Sequence, residues 1–463
     1  LVDYHMHDGC NARAWIHVQL NTTLSPDTPI SLEAGTQLMT RVAGLGIRLE
    51  ADSFDYNKAI DAGPVIFETM RAAVLYREQN EICFYTWGDE ACCLPRGATR
   101  AALKGKLETI REGDVLIFEE VRGPETGEMA DADPHHRWAV RVTEIDYTED
   151  LIPAPSQAVT LIRWHQDDAL PFPFTISADV APDANLAAEC ADAISVVRGN
   201  VVLADHGRTI SQQKLATVPA VRFYYAQGSP HCRDVAADAV PPRLRPRLAE
   251  GPLTQSMDYG PFLAVDFEAD LKSDLDGGLL PRRLDIGIRT RRIVVGGLAV
   301  EARAGDAWAV QGETLTFVIR HEGDKLNVYD PLAASRTLIG DPQAAKPAIT
   351  LTGEENSQSF EWHPQSDLLN STAESREFVA ELEADGVAWL RFGDDQFGKR
   401  PNEQTHFDAI YRIGNGTAGN VGADSIFHCV TDLADVVGVR NPLPAEGGVE
   451  PETIAAVRLA APY

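Results

Sequence analysis

Three side chains that bind transition metals lie close together near the start of the chain. His5, His7 and Cys10 occur in the segment HMHDGC, and zinc is bound in proteins by imidazole nitrogens and thiolates. A structural zinc site needs four converging ligands, however, and no second pair of residues with ligand spacing follows this segment. We therefore predict that these residues do not form a metal site.

A second cluster of candidate ligands lies in a polar segment. Asp131, Asp133, His135 and His136 occur within ETGEMADADPHH (125–136), which contains a proline and many charged side chains. This composition is typical of an exposed loop, where such side chains are solvated. The prediction is again that no metal binds. A metal-dependent hydrolase that uses either cluster remains an alternative.

Gly414, Gly416 and Gly419 form a literal GxGxxG sequence in IGNGTAGNVG. In a dinucleotide-binding site a helix follows this motif directly, and its N-terminus binds the pyrophosphate. Here the next residues, NVGADSIFHCV, have the pattern of a turn followed by a strand. The motif therefore predicts an irregular glycine turn, and we expect no cofactor.

No other pattern in the sequence points to catalysis. The chain contains no GxSxG, HExxH or GxxxxGK[ST] motif. The adjacent acids Asp167 and Asp168, like Asp394 and Asp395, would point to opposite faces of a strand, whereas acid–base catalysis needs two groups at one site. We predict that the chain is not an enzyme.

Composition and charge exclude several classes of protein. Of 463 residues, 44% are hydrophobic and 24% are charged, which is typical of roughly two to four folded domains. The 69 Asp and Glu residues outnumber the 41 Lys and Arg residues, for a formal charge of −28. That charge repels phosphate backbones and anionic lipids, so we expect neither a nucleic-acid partner nor direct membrane contact.

The seven cysteines are few, odd in number and without a CxxC pair. This usage predicts a reducing compartment and no disulfide scaffold. We interpret the adjacent Cys92 and Cys93 as a buried, inert pair.

Strand patterns dominate the chain. In residues 14–20, Ile16, Val18 and Leu20 alternate with polar side chains, as on a strand with one buried face. Similar or continuous apolar runs predict further strands at 81–87, 114–121, 138–146, 159–165, 194–205, 314–320 and 387–392. The fold class predicted is α+β and β-dominated, with several β-rich domains and few short helices.

Helical patterns are fewer. Apolar side chains recur at helical spacing in 65–79 and more weakly in 183–193, and Pro451 and Glu452 have the character of a helix start. Because that last helix has little room before Tyr463, we expect a piece of a longer protein that lacks its terminal helical segments.

Clusters of turn residues predict five units. Residues 1–150 are expected to form a β-rich N-terminal domain and 151–210 a strand-rich connecting segment. Residues 211–345 are expected to form an extended arm and an inserted β domain, and 346–448 a β domain. Residues 449–463 should begin a C-terminal helical segment.

Three stretches near the end of the chain occur in a characteristic order. They are WHPQSDLLNSTAESREFVAELEADGVAWLRFGDDQFGKRP (362–401), FDAIYRIGNGTAGNVGA (407–423) and VRNPLPAEGGVEPETIAAVRLAAP (439–462). Together they resemble the baseplate J-like family, in its "putative baseplate assembly protein" branch. Upstream, NEICFYTWGDEACCLPRGAT and RGNVVLADHGRT are also similar to this branch. The ordered set is more specific than any single motif.

This resemblance implies a structural role in phage tails and phage-tail-like contractile injection systems. It implies a wedge subunit of the baseplate, whose partners are other copies of itself, a related wedge subunit, the sheath-initiator protein, and the hub, spike and tube proteins. Such wedges would form a six-fold ring and transmit the trigger for sheath contraction. The implied location is the baseplate of a particle assembled in the bacterial cytoplasm.

The motif residues are expected to shape turns and strand ends. These structural residues are Arg391, Phe392, Gly393, Asp394, Gly398, Pro401, Tyr411, Arg412, Gly414, Gly416, Gly419, Asn420, Asn441, Pro442, Pro444, Gly447 and Gly448.

Two arginine-rich segments are candidate contacts with acidic neighbours, because a chain of this charge needs cations at its interfaces. The candidate interface residues are Arg243, Arg245, Arg247, Arg282, Arg283, Arg291 and Arg292. A solvated basic patch is the alternative for these segments. A glycan- or receptor-binding tail module remains the alternative function, on the evidence of strand content and scattered Trp residues.

Overall fold

The computed structural model describes most of the chain. The described residues are 6–153, 155–179, 190, 193–224, 238–240, 243–257, 333–355, 357–383 and 385–460, together with the backbone of the strands between 264 and 329.

The described residues are β-dominated. The strands are β1 (Arg13–Leu20), β2 (Ile30–Leu32), β3 (Gln37–Thr40), β4 (Arg48–Leu49), β5 (Ile66–Thr69), β6 (Ala73–Leu75), β7 (Ile82–Cys83), β8 (Cys93–Leu94), β9 (Arg100–Lys104), β10 (Val115–Glu120), β11 (Arg137–Asp150), β12 (Gln157–Trp164), β13 (Phe174–Thr175), β14 (Ser195–Arg198), β15 (Val201–His206), β16 (Arg208–Lys214), β17 (Arg222–Tyr224), β18 (Asp238–Val240), β19 (Gln255–Ser256), β20 (Ala264–Val265), β21 (Arg283–Ile288), β22 (Arg291–Gly296), β23 (Ala299–Ala302), β24 (Ala307–Gln311), β25 (Thr316–Glu322), β26 (Lys325–Tyr329), β27 (Lys346–Pro347), β28 (Ile349–Glu355), β29 (Gln358–Pro364), β30 (Glu377–Leu382), β31 (Ala388–Phe392), β32 (His406–Ile413), β33 (Ile426–Val430) and β34 (Val436–Arg440).

Helices are short. The α-helices of the described residues are α1 (Phe54–Asp61), α2 (Ala334–Thr337) and α3 (Ile454–Ala460), and the 3₁₀ turns are Arg77–Gln79, Met129–Asp131, Gln166–Asp168 and Gly416–Gly419. Every helix among these residues is too short or too polar to span a lipid bilayer. The predicted β-dominated fold class with few helices is confirmed.

Four larger sheets organise these strands. Sheet I has the order β34-β1-β15-β5-β3-β33-β4, sheet II β7-β14-β10-β11-β12-β9, sheet III β16-β32-β28-β29-β30-β31, and sheet IV β20-β26-β25-β24-β23. Most neighbouring strands are antiparallel; β33–β4 and β29–β30 are parallel pairs. Further two-stranded pairs are β8–β13, β17–β18, β19–β27, β2–β6 and β21–β22.

Central strands of these sheets are buried on both faces. All six residues of β10 are buried, because β14 and β11 flank it and both of its faces are covered. Each of sheets I to III has its own apolar core, centred on Phe67, Phe118 and Phe378 respectively. A smaller cluster that includes Trp15 and Ile117 packs sheet I against sheet II.

The sheets combine segments that are distant in sequence. Sheet I joins β1 to β34, so residues 13–20 and 436–440 are neighbours. Residues 1–150 supply strands to both sheet I and sheet II, and sheet III takes β16 from the segment before residue 215. The strands of one sheet thus come from both sides of positions 150 and 210, and sheet I combines strands of residues 1–150 with strands of residues 346–448, because long-range pairing leaves no signal in local turn chemistry.

Helix α2 attaches the returning chain to sheets I and II. The buried Asp168 carboxylate accepts hydrogen bonds from the backbone N–H groups of Ala334 (2.7 Å) and Ser335 (3.0 Å), and from the Ser335 hydroxyl (2.8 Å). From sheet I, the Trp15 indole N–H donates to the Ala334 carbonyl oxygen (3.1 Å). A distant side chain therefore caps the helix start and satisfies its free N–H groups.

The helix predicted over 65–79 is wrong. Ile66 and Phe67 lie in β5 and Val74 lies in β6, with a bend between the two strands. Apolar side chains at these positions match helical spacing by coincidence, since two short strands joined by a turn can produce the same pattern. The strand predicted at 81–87 is shorter than expected and comprises only Ile82–Cys83, and the helix predicted over 183–193 lies almost wholly outside the described residues.

The prediction that the cysteines are reduced is wrong for one pair. Cys83 and Cys190 form a disulfide, with 5.4 Å between their Cα atoms and 107 residues between them in sequence. Such a pairing cannot be deduced from cysteine spacing alone. Cys93 is exposed and Cys92 half-buried, so this pair is not buried as expected.

We expect Asp168→Ala to destabilise the protein by about 3 kcal/mol, because it leaves buried N–H donors of α2 without an acceptor. Asp167→Ala is the matched control. The Asp167 carboxylate pairs with the exposed Arg336 (2.7 Å) and lies 3.8 Å from the partly exposed ring of His165, so its loss should cost less than about 1 kcal/mol. Urea unfolding measures both, and equal effects would contradict this role of Asp168.

Candidate functional site

Arg412 lies where the chain passes from sheet III to sheet I. It is in β32, and its guanidinium reaches two carboxylates of sheet I. Its Nη2 lies 2.7 Å from Asp205 Oδ1, its Nη1 donates to Asp205 Oδ2 (2.8 Å), and its Nε donates to Glu68 Oε2 (3.1 Å). We call this place, where Arg412 meets Asp205 and Glu68, the junction.

Both carboxylates of the junction are buried and saturated with donors. The Asn11 amide donates to Asp205 Oδ2 (2.8 Å), and the backbone N–H and hydroxyl of Thr209 donate to Glu68 (2.7 and 2.6 Å). Burial alone lowers the pKa of Arg412, but the adjoining carboxylates outweigh it and raise this pKa above its ordinary value. These groups form an ionic cluster that joins sheet III to sheet I.

The glycine turn follows directly after Arg412 and packs on His206. A Cβ at Gly419 would lie 2.6 Å from the ring of His206, so only glycine fits there. The pKa of His206 is lowered to about 4, because burial and the nearby Arg412 outweigh the opposing effect of Asp205. The turn leads into strand β33, as predicted from the sequence, and no helix follows it.

Two motif asparagines hold the segments that lead to the end of the described chain. Asn420 donates from its amide to the Gly448 carbonyl oxygen (2.9 Å) and accepts from the Gly448 N–H (2.9 Å). The buried Asn441 donates to the carbonyl oxygens of Gly422 (2.8 Å) and Leu443 (2.9 Å) and accepts from Ile426 N–H (2.9 Å).

Other motif residues form hydrogen bonds with segments that are distant in sequence. The Pro442 carbonyl oxygen accepts from Arg137 (2.9 Å), and the Gly414 N–H donates to the Pro252 carbonyl oxygen (2.8 Å). The Tyr411 hydroxyl accepts from the Glu250 N–H (3.1 Å). Of the motif residues, the strand end and turn at the junction contain Tyr411, Arg412, Gly414, Gly416 and Gly419, and the segments that follow this turn contain Asn420, Asn441, Pro442, Pro444, Gly447 and Gly448.

The remaining motif residues form a separate turn at the end of β31. A Cβ at Gly393 would lie 2.1 Å from the Gly398 backbone, so the turn closes on itself. The Asp394 carboxylate accepts from the N–H groups of Gln396 (3.0 Å) and Phe397 (2.9 Å), and these bonds hold its pKa below the ordinary value. Arg391 and Phe392 precede this turn, and the buried Pro401 follows it.

A second ionic cluster, centred on Glu119 of β10, joins sheets I and II. The carboxylate contacts Arg440 (2.5 Å), Arg198 (2.9 Å) and Arg137 (3.1 Å). Burial alone raises the pKa of Glu119, but the three guanidiniums outweigh it and lower this pKa to about 2. This cluster could not be recognised in the sequence, because Glu119 and Arg440 lie 321 positions apart.

The candidate metal ligands do not converge. No group of three or more His, Cys, Asp or Glu side chains among the described residues could hold a metal ion, and His5 lies outside those residues. His135 pairs with Asp133 (3.0 Å) and His136 with Glu120 (2.7 Å). The Asp131 carboxylate accepts from the Thr126 hydroxyl (2.7 Å).

Two of the candidate interface arginines are paired within the chain. Arg245 lies 2.5 Å from Glu381, and Arg247 lies 2.7 Å from Asp385. Arg243 is exposed beside them. Of the second segment, the backbones of Arg283, Arg291 and Arg292 lie in strands β21 and β22, and Arg282 is outside the described residues.

Comparisons with known proteins leave the family open. A scan against protein-family models finds no match, and no curated protein matches the sequence. Among solved structures, the chain is similar to one from the type VI secretion system TssK-TssF-TssG baseplate subcomplex, determined by cryo-electron microscopy. The identity is 12%, over 98% of this chain and 70% of that chain, and the TM-score is 0.34. A TM-score of this size does not establish a common fold.

Arg412→Ala should destabilise the protein by about 3–5 kcal/mol, because it leaves two buried carboxylates without their cation. The control is Arg391→Ala, which breaks a largely exposed pair with Glu381 (2.6 Å) and should cost less than about 1 kcal/mol. Chemical unfolding of both variants tests this, and a small loss for Arg412→Ala would contradict the importance of the junction.

Acid should destabilise the fold in two steps. Burial lowers the pKa of His17 to about 3 from 6.5, and the pKa of Glu119 is about 2 instead of 4.5. Both groups bind fewer protons when folded, so their contribution is complete above about pH 6.5 and is lost as the pH falls. Each group should remove about 1 kcal/mol per pH unit below its unfolded pKa.

Urea unfolding measured from about pH 7.5 to 3.5 tests this pH dependence. Glu119→Gln should flatten only the lower step, below about pH 4.5. A free energy of unfolding that stays constant across this range would contradict the assignment.

Proposed function

We propose that the chain is a structural baseplate wedge subunit of a contractile, phage-tail-like injection system and is not an enzyme. The observation that carries this proposal is the set of contacts that the ordered motif residues make in the structure. The motif that resembles the baseplate J-like family supplies Arg412 and the glycine turn at the junction, and the asparagines whose hydrogen bonds hold the segments after this turn. These residues hold sheets together and leave no free reactive group.

The cleft beside the junction supports a structural role over a catalytic one. It has a volume of about 840 Å³ and is lined in part by Glu68, Asp205 and Arg412. Two acids in a cleft of this size could serve in catalysis. Here a shared guanidinium and additional donors hold both acids, so neither of these two carboxylates is available as a free base.

A mechanical role also suits the architecture. Three sheets with separate cores are joined by buried ionic clusters at Arg412 and at Glu119. Such rigid units can transmit a displacement between neighbouring subunits when two arrangements lie close in free energy. We propose that the subunit passes the trigger for sheath contraction in this way, in a six-fold ring around the tube and spike with a sheath initiator as neighbour.

Imaging of native particles tests the proposed function. A gold-labelled affinity tag on this chain should mark one end of each particle, at the baseplate, in negative-stain micrographs. The control is the same tag on a tube subunit, which should mark the length of the particle. Label along the tube, or label found only on free protein, would contradict the proposal.

A further inference from the structure

The hairpin of β11 and β12 carries an exposed apolar tip. Leu151 and Ile152 lie at this tip, and 76% and 93% of their surfaces are exposed. Single exposed apolar residues are ordinary, but two adjacent ones at the end of a long hairpin form a projecting apolar knob. We call residues 149–153 the hairpin tip.

The hairpin tip is held in one conformation. The Asp150 carboxylate accepts from the Ile152 backbone N–H (3.0 Å) and from the Tyr85 hydroxyl (2.7 Å). The Tyr85 ring packs edge-on against Trp87, with 5.1 Å between ring centroids. A pre-ordered tip loses little conformational entropy on binding, which favours its use as a contact.

The flanks of the hairpin tip are acidic. Asp146 precedes the tip and Glu149 is its first residue, and both side chains are exposed near the end of strand β11. A site for this tip must therefore combine an apolar floor with a cationic rim.

Sheet III has a cavity with that chemistry. It has a volume of about 410 Å³ and lies between the Arg243–Arg245 segment and the turn after β31. Its apolar lining comes from Val218, Val240, Leu244, Phe392 and Pro401, and its charged lining comes from Arg243, Arg245, Arg391, Arg400 and one acid, Asp394. We call this cavity the arginine socket.

The four guanidiniums of the arginine socket outnumber the three carboxylates at or beside it, which belong to Asp394, Glu381 and Asp395. Arg245 and Arg391 share one carboxylate, Glu381, and Arg400 lies 3.5 Å from Asp395. Arg243 forms no ion pair with another described residue. In a chain with a formal charge of −28, an exposed surplus of positive charge is a favourable place for an acidic partner.

We propose that the hairpin tip of one copy inserts into the arginine socket of a second copy. Leu151 and Ile152 would cover the apolar floor, while Glu149 would face Arg243. This inference rests on the proposed function, since it supplies the contact by which copies of the subunit associate. Because tip and socket are different surfaces, the contact is head-to-tail and can propagate from copy to copy into a ring.

Sedimentation velocity of the purified full chain, over a range of concentrations, measures this association. Leu151→Ser/Ile152→Ser and Arg243→Glu should each weaken self-association at least about tenfold. Phe54→Ser/Leu369→Ser, at residues that are 83% and 72% exposed, and Arg96→Glu are the matched controls and should have no effect. Added salt should also weaken the association.

Mixing the two variants gives the sharpest result. The tip variant keeps an intact socket and Arg243→Glu keeps an intact tip, so together they should form a dimer and nothing larger. Glu149→Arg should restore association to Arg243→Glu by exchanging the two charges.

A labelled peptide of residues 145–157 provides an independent probe. It should bind the wild-type chain and not Arg243→Glu. A wild-type chain that stays monomeric, or variants that associate like the wild type, would overturn the proposal. So would a socket that rejects the peptide while Arg243→Glu still prevents incorporation into particles, because the occupant would then be another subunit. The tag position in particles is a separate readout, so either proposal can fail without the other.

Discussion

The structure depends most on one partly buried guanidinium that lies between two buried carboxylates. Arg412 comes from sheet III, and its two carboxylate partners, Asp205 and Glu68, come from sheet I. The chain passes between these sheets twice near this point, at Gly207 and after Ile413. Both passages would otherwise bring polar backbone and acidic side chains together without a compensating cation. Because both carboxylates are buried, the loss of any one partner would leave an uncompensated charge and destabilise the fold.

The other features of the junction follow from this constraint. Asn11 and Thr209 supply the donors that Arg412 cannot, and the glycine turn gives room to the ring of His206. The Glu119 cluster uses the same device between sheets I and II. The charged groups of both clusters pair with one another across the sheets, so few of them are left for chemistry. This is the basis for proposing a structural subunit.

Much of the fold could be predicted from local patterns. The alternation of Ile16, Val18 and Leu20 predicts β1, and the apolar run before Glu119 predicts β10. Short apolar runs are less informative, and for this reason the pattern in 65–79 predicted a helix where the structure has two strands. The glycine turn after Ile413 was predictable because a strand-like pattern follows it.

The charged clusters could not be predicted in the same way. Glu68 reads as an ordinary polar residue in a strand, and its cation is 344 positions away in sequence. The Cys83–Cys190 disulfide likewise joins two residues that are far apart in sequence, with a separation of 107. Motif order nevertheless singled out Arg412, without showing which acids it binds. Sequence patterns therefore indicated the importance of this residue, and only the packing of the sheets explains it.

Hydrogen–deuterium exchange of Arg412→Ala against the wild type tests the central claim most directly. Backbone N–H groups of Thr254 and Gly414, which donate to Arg412 and Pro252 carbonyl oxygens, report on the junction. The account predicts that these amides lose protection while those of β10, in sheet II, keep theirs. Unchanged protection at the junction, or an equal loss in β10, would contradict it.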